Sequence, residues 1–272
     1  MKKTVSLFMA FLMPCLLSYR CKACSVLYYF DAKTSTPYVA NNEDYWFDQK
    51  VVLRILPAKA GTYARLWYGW HRFAQGRVNE NGLFFDGAVT PESAIPEGYG
   101  PPRGNLGDRI LAKCKVVEDA LKLLEDEKIA LDNAHMMFGD STGNAVVVEW
   151  VDARKRLIWI QDRKLIMTNF LLAKPELGGA PCPRYQSIEK NIEAFRHQDK
   201  EVTLLGVGNM LGAAVQVPRK TEDGRQAGTL YSTFMDLKNL KLVFVPKLDS
   251  SKAVKLDLRQ EFSRSKARKI EL

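Results

Sequence analysis

The order of two hydrophobic periods restricts this 272-residue chain more than any single motif does. "SVLYYFD" at 25–31, "PYVANN" at 37–42 and "VVLRILP" at 51–57 are rich in β-branched and aromatic residues and end in turn formers. That is the pattern of strands. "RLWYGW" at 65–70 and "NGLFFDGAV" at 81–89 continue it. A proline- and glycine-rich stretch at 90–108 is too long for a simple connection and reads as a lid or substrate loop. The period then changes. Over 107–127, Ile110, Leu111, Cys114, Val117, Leu121 and Leu124 recur at helical spacing along one apolar face. Strand patterns resume at 134–140, 144–150, 156–161 and 164–170. Two helices follow at 183–196 and 202–215, then a hairpin of 229–237 and 241–246. Strands, helices and strands again predict an α+β fold with helices over largely antiparallel sheets.

Ahead of the first strand lies a different kind of segment. Lys2 and Lys3 precede an apolar run from Val5 to Leu17, and small residues follow near Ala23. This is the layout of a secretory signal peptide, with residues 1–23 removed and 24–272 forming a single catalytic domain. Arg20 and Lys22 interrupt the run too soon for a convincing membrane span. The competing reading is an uncleaved anchor helix. With cleavage, no membrane span remains and the protein is exported, periplasmic or secreted.

Of five cysteines, Cys15 and Cys21 fall in the leader and leave Cys24, Cys114 and Cys182. An odd number in an exported chain leaves at least one thiol unpaired. Cys114, on the apolar helix face, reads as a small buried hydrophobe. His71, His135 and His197 are scattered, without metal-ligand spacing, so no metal site and no cofactor is expected. The net charge of +9 is spread along the chain and is densest in the tail "SRSKARKIEL", read as a solvated basic end. No basic face with interleaved aromatics appears, so no nucleic-acid partner is expected.

Cleavage after Ala23 would make Cys24 the first residue and place its own α-amine beside its thiol. That amine titrates at about 7.7–8.0 in reference peptides and can take the thiol proton near neutral pH. The pair is a self-contained nucleophile and base. The strand at 25–31 would hold it rigidly. The competing reading is a lipoprotein with lipid on Cys21 or Cys24, although Arg20 and Lys22 make poor lipobox neighbours.

Five segments, taken in order behind Cys24, carry a resemblance. "ANNED" at 40–44 looks like a "GRNxD" motif, and "VNENGLFFDGAVTP" is similar to an "NExGL" segment. "FGDSTGNAVVVEW" followed by "LIMTNF" resembles a "GD…VVE…TN" region. "PCPRYQSI" resembles an "SRxxR" region, and "TLYSTFMDLKNLKLVF" looks like a closing hairpin. The chain thus resembles the cysteine N-terminal nucleophile hydrolases of the choloylglycine hydrolase and penicillin V acylase type. It is also similar to the acyl-CoA:6-aminopenicillanic acid acyltransferases. The resemblance implies a four-layer αββα sandwich, hydrolysis of a linear carbon–nitrogen amide, a small-molecule N-acyl amide substrate and a homo-oligomer. It places the nucleophile on Cys24, an orienting carboxylate on Asp44, the oxyanion asparagine on Asn169 and the active-site arginine on Arg184.

The departures are specific. Asn41 stands where the motif has arginine, which removes one cation near the thiol and leaves its stabilisation to Arg184 and the amine. The side-chain donor expected after "GL" falls at Val89, which has none, so a backbone N–H serves there or Thr90 shifts into place. Only 14 residues separate Asn169 from Arg184, so bile-salt specificity does not transfer. Acyl transfer to an amine is the alternative reaction. A lipid-anchored binding protein of the same fold is the alternative outside catalysis.

Overall fold

The computed structural model describes residues 24–70, 73–198 and 201–272. The predicted leader 1–23, with Cys15, Cys21 and the Ala23 cleavage position, lies outside the described residues, as does His71.

In chain order the strands begin with β1 (Ser25–Asp31), β2 (Thr36–Trp46), β3 (Val52–Leu56), β4 (Arg65–Gly69), β5 (Gly76–Asn79) and β6 (Phe84–Val89). Helices α1 (Leu106–Lys113) and α2 (Val117–Asp126) follow. Next come β7 (Ala134–Gly139), β8 (Ala145–Val151), β9 (Arg154–Trp159) and β10 (Lys164–Met167). Helices α3 (Pro183–Arg196) and α4 (Leu204–Gly212) precede β11 (Arg219–Lys220), β12 (Gln226–Asp236) and β13 (Lys241–Pro246). The chain closes with β14 (Val254–Asp257), α5 (Leu258–Phe262) and β15 (Arg268–Glu271).

All strand pairings within the two sheets are antiparallel. One sheet runs β10-β1-β2-β12-β13-β14, with β11 on β12; the other runs β15-β3-β4-β5-β6-β7-β8-β9. Three apolar clusters define the layers. Val26, Tyr28 and Val39 of the first sheet meet Leu53, Leu66 and Tyr68 of the second. Leu27, Tyr29 and Ala40, on the opposite face of the first sheet, pack against Ile188 and Ile192 of α3 and Val207 and Met210 of α4. Phe85, Val146 and Val148 of the second sheet pack against Ile110, Leu111, Val117 and Leu124 of α1 and α2. The stack is therefore helices, sheet, sheet, helices. Alternation along β1 and β2 sends successive side chains to the two faces, and both faces are buried. Among the described residues no helix is long and apolar enough to cross a membrane.

The predicted single helix over 107–127 is two helices. Its apolar face is kept, but the backbone turns extended at Cys114. The break is tertiary: Asn79 Nδ2 takes the carbonyls of Leu111 and Cys114 at 2.9 and 2.7 Å, removing them from helical pairing. Asp119 Oδ2 then accepts from the Lys115 and Val116 N–H groups to start α2. The basic tail is solvated, as its sequence predicts, but it is also ordered. Arg268–Glu271 adds β15 to β3, and the Arg268 side chain bonds Glu261 at 2.7 Å.

Gly139 of β7 faces Tyr28 of β1 across the inter-sheet layer. A Cβ there would lie 2.5 Å from the Tyr28 ring. That ring is fully buried and pinned by its hydroxyl donating to Asp140 O at 2.7 Å. Gly139→Ala is expected to destabilise the fold by about 1–3 kcal/mol through overpacking, read as a lower denaturant midpoint with an unchanged slope.

Candidate active site

Cys24 immediately precedes β1 at the inner face of the first sheet, buried against the inter-sheet core. β1 pairs with β2 so that Ser25 lies opposite Asn42, which sets Cys24 beside Glu43 and Asp44. The strand β2 continues through the whole "ANNED" segment, further than its polar sequence predicts. It does so because β12 carries hydroxyls that meet three of the four polar side chains. Thr233 Oγ1 donates to Asn41 Oδ1 at 3.0 Å, Ser232 Oγ to Asn42 Oδ1 at 2.7 Å and Thr229 Oγ1 to Asp44 Oδ1 at 2.6 Å. The β2–β12 register shifts between Thr229 and Tyr231, beside Asp44 and Glu43. Bulges of this kind commonly re-aim side chains next to active sites.

One guanidinium ties the predicted residues together. Arg184, in the first turn of α3, donates from Nη1 to Cys24 O at 2.6 Å and to Ser25 Oγ at 2.9 Å. Its Nη2 donates to Asn169 Oδ1 at 2.8 Å, and Nη1 lies 3.9 Å from Asp44 Oδ2. Cys24, Asp44, Asn169 and Arg184 thus share one site although they span 160 positions of the chain. Arg184 reaches the carbonyl of Cys24; the sulfur instead donates to Glu43 Oε1 at 3.3 Å. Asn169 Nδ2 donates one N–H to Val89 O at 2.8 Å. A primary amide carries a second N–H.

The electrostatics oppose a free thiolate in an internal Cys24. Burial, and then the negative charges of Glu43, Asp44 and Asp86, push the thiol well above its ordinary range. Burial pushes the Asp44 carboxyl up to about 7, against the hydrogen bond from Thr229 and the charge of Arg184. Asp44 Oδ2 is buried and has no hydrogen-bond partner among the described residues, so it can accept a donor or a cation arriving at Cys24.

Three other predicted positions sit differently. Asn41 is fully buried off the cavity, its Oδ1 taken by Thr233 and by Tyr68 Oη at 3.0 Å. The cation missing at Asn41 has a counterpart in the same layer. Arg77 of β5, also fully buried, donates from Nη2 to Thr233 Oγ1 and lies 3.7 Å from Asp86. Val89 borders the cavity and presents its carbonyl to Asn169. Thr90 is buried, and its N–H donates to Asn133 O at 2.9 Å.

Beyond the sulfur opens a cavity of about 400 Å³, edged by Tyr45, Trp70, Phe73, Phe85, Leu131 and Met136. Pro102, Gly104 and Asn105 from the long 90–108 loop also border it. Tyr45 stacks on Trp70 with ring centroids 4.7 Å apart. Trp70 reaches this cavity, whereas Tyr28 and Trp67 pack in the core. Among the described residues no cluster of His, Cys, Asp and Glu could hold a metal.

Sequence reasoning missed a clamp behind Asn169. His135 of β7 bonds Glu149 Oε1 through Nδ1 at 2.8 Å and Thr168 O through Nε2 at 2.7 Å. Glu149 also accepts the N–H groups of Leu172 and Ala173 at 2.8 and 2.9 Å. The backbone on both sides of Asn169 is thereby fixed. His135→Leu, which leaves the buried Glu149 carboxylate without its ring partner, is expected to cost about 2–4 kcal/mol, measured by chemical unfolding.

The profile of the acyl-coenzyme A:6-aminopenicillanic acid acyl-transferase family matches residues 32–244, well over half of the chain. The chain belongs to that family. Its members' profile covers β2, the cavity, Asn169 and Arg184, but starts after Cys24. No curated protein sequence matches the chain. Solved structures share its fold. A mutant of the conjugated bile acid hydrolase from Clostridium perfringens superposes with a TM-score of 0.71 at 17% identity, covering 90% of this chain and 96% of its own. A second variant of that enzyme gives 0.72 at 16%, covering 91% and 97%. Penicillin V acylase from Agrobacterium tumefaciens gives 0.69 at 18%, covering 92% and 91%. The family member described here therefore has the N-terminal nucleophile hydrolase sandwich that its sequence resembles.

Proposed function

We propose that this protein is an exported amidohydrolase that cleaves linear N-acyl amides with Cys24, freed as the first residue, as nucleophile. The observation that carries the reading is the Arg184 fork, which joins the Cys24 carbonyl to the Asn169 amide and approaches Asp44. Removal of residues 1–23 rests on the sequence layout of the leader. The new α-ammonium would arise next to Asp44 Oδ2, the buried oxygen without a hydrogen-bond partner. In its neutral form the amine accepts the thiol proton, and Asp44 orients it.

The steps follow from this placement. The sulfur attacks the amide carbonyl, and the developing oxyanion takes the second N–H of Asn169. The ammonium returns its proton to the leaving nitrogen, which departs and leaves a thioester. Water, deprotonated by the same amine, then releases the carboxylic acid. The aromatic cavity suits an apolar acyl group.

A second reading is acyl transfer, favoured by the family profile. Here an amine acceptor replaces water at the thioester. One experiment serves both. A panel of N-acyl amides is incubated with the processed protein, with and without a second amine, and products are resolved by mass. Free acid in both arms supports hydrolysis; a new amide only with added amine supports transfer. No product from any amide would sink the proposal.

A further inference from the structure

Glu43 is the side chain in contact with the reacting sulfur, and neither the motif resemblance nor the steps above use it. It sits on β2 directly across from Cys24, is 4% exposed and borders the same cavity. Its Oε1 accepts from Sγ at 3.3 Å. The strand alternation makes this contact obligatory. Asn41 and Glu43 point into the inter-sheet layer with Cys24, whereas Asn42 and Asp44 point toward β12 hydroxyls and α3. The site therefore holds two carboxylates with different outlooks: Asp44 beside the backbone end of Cys24, and Glu43 beside its sulfur.

We propose that Glu43 is a catalytic residue of this site: its carboxylate takes the Sγ–H proton directly, in place of the α-amine at that first step, forming a thiolate and a neutral carboxylic acid. This rests on the reading of Cys24 as nucleophile, but not on the chain being cut at Cys24. The step balances within the pair. One S–H bond breaks, one O–H bond forms, and a single negative charge moves from Oε1 to Sγ. No other reactant is needed. The titratable and charged groups around the pair are Asp44 of β2, Asp86 of β6, Tyr68 of β4, Tyr231 of β12 and Arg184 of α3 at the Cys24 carbonyl, with Arg77 of β5 behind Asp86. Burial foremost, and then the charge of Asp86, lift the Glu43 carboxyl well above the usual carboxylate range. Burial lifts the Cys24 thiol as well, so what favours transfer is the direct 3.3 Å contact, across which the proton moves with no change in the pair's total charge. A pair this close titrates as one unit.

The test reads the sulfur, not amide cleavage. The full-length protein is alkylated with iodoacetamide across a pH series, and modification of the Cys24 peptide is followed by mass spectrometry. Resolving that peptide excludes signal from Cys114 and Cys182. Glu43→Gln keeps the shape but cannot take a proton. Its Cys24 alkylation is expected to be slower than wild type by about tenfold or more near neutral pH. Glu43→Asp, which withdraws the carboxylate by one methylene, is expected to fall between them. If the glutamine variant does not fold, an aspartate variant slower by about threefold or more carries the same result. Alkylation as fast as or faster than wild type in the folded variants would overturn the proposal, because it would make Glu43 only a charge that suppresses the thiolate. Failure of the hydrolase reading shows separately, as no product from any amide of the panel, whatever the alkylation rates.

Discussion

Replacing Cys24 with alanine is expected to lower amide cleavage by about 10⁴-fold or more while leaving the fold intact. The expectation follows from how little else the site offers as a nucleophile. Ser25 Oγ is held by Arg184, and Thr229 Oγ1 is committed to Asp44. Nucleophile removal elsewhere leaves only the residual catalysis of binding and oxyanion stabilisation. The structural cost is small, because a short side chain at the edge of the inter-sheet core is truncated by one atom, worth about 1 kcal/mol. Cys24→Ser keeps a hydroxyl and is expected to retain a trace of activity, since a hydroxyl is far harder to ionise. The check is steady-state kinetics on the best amide of the panel, with chemical unfolding in parallel. Undiminished cleavage by a folded alanine variant would place the reacting atom elsewhere.

The second large effect belongs to Asn169. Its side chain is oriented at both ends, by Arg184 on Oδ1 and by Val89 O on one N–H. The remaining N–H is the preorganised donor of the proposed oxyanion site. Asn169→Ala is expected to lower kcat by about 10²–10³-fold with little change in KM, the usual consequence of losing one such donor. Stability is expected to fall by about 1 kcal/mol or less, because the freed groups lie at a partly solvated rim where water replaces the lost bonds. Asn169→Asp separates the two roles. It keeps the contact with Arg184 but sets an acceptor against the developing charge. It should match the alanine variant in kcat and the wild type in stability. An aspartate variant with near-normal kcat would contradict the oxyanion role.

Much of this architecture was legible in the sequence, for identifiable reasons. β1 and β2 read as strands because hydrophobic and aromatic side chains occupy both faces, and the α+β class followed from the change of period, while the αββα order came only with the resemblance. Cys24, Asp44, Asn169 and Arg184 could be singled out because each lay inside a short segment of recognisable type. What escaped notice was settled by distant partners. The strand read over 37–42 runs on through Glu43 and Asp44 because β12 hydroxyls pair with its polar side chains. The helix break at Cys114 depends on Asn79, 35 positions away. Arg77 sits on a strand of 4 residues, too short to show a period. Glu43 carried a usable signal: in a strand, the residue before Asp44 must face the opposite side, toward Cys24. The His135–Glu149 clamp carried none, because a scattered histidine reads the same whether it is buried or exposed.

The central claim is that Cys24 acts as a first residue with a free amine. Its most direct test is the intact mass and N-terminal sequence of the mature protein, produced from the full chain in a bacterial host that processes leaders. The account requires a chain that begins at Cys24 with an unmodified amine and thiol. A Cys24 that carries lipid, or that remains inside an uncut chain, would contradict it.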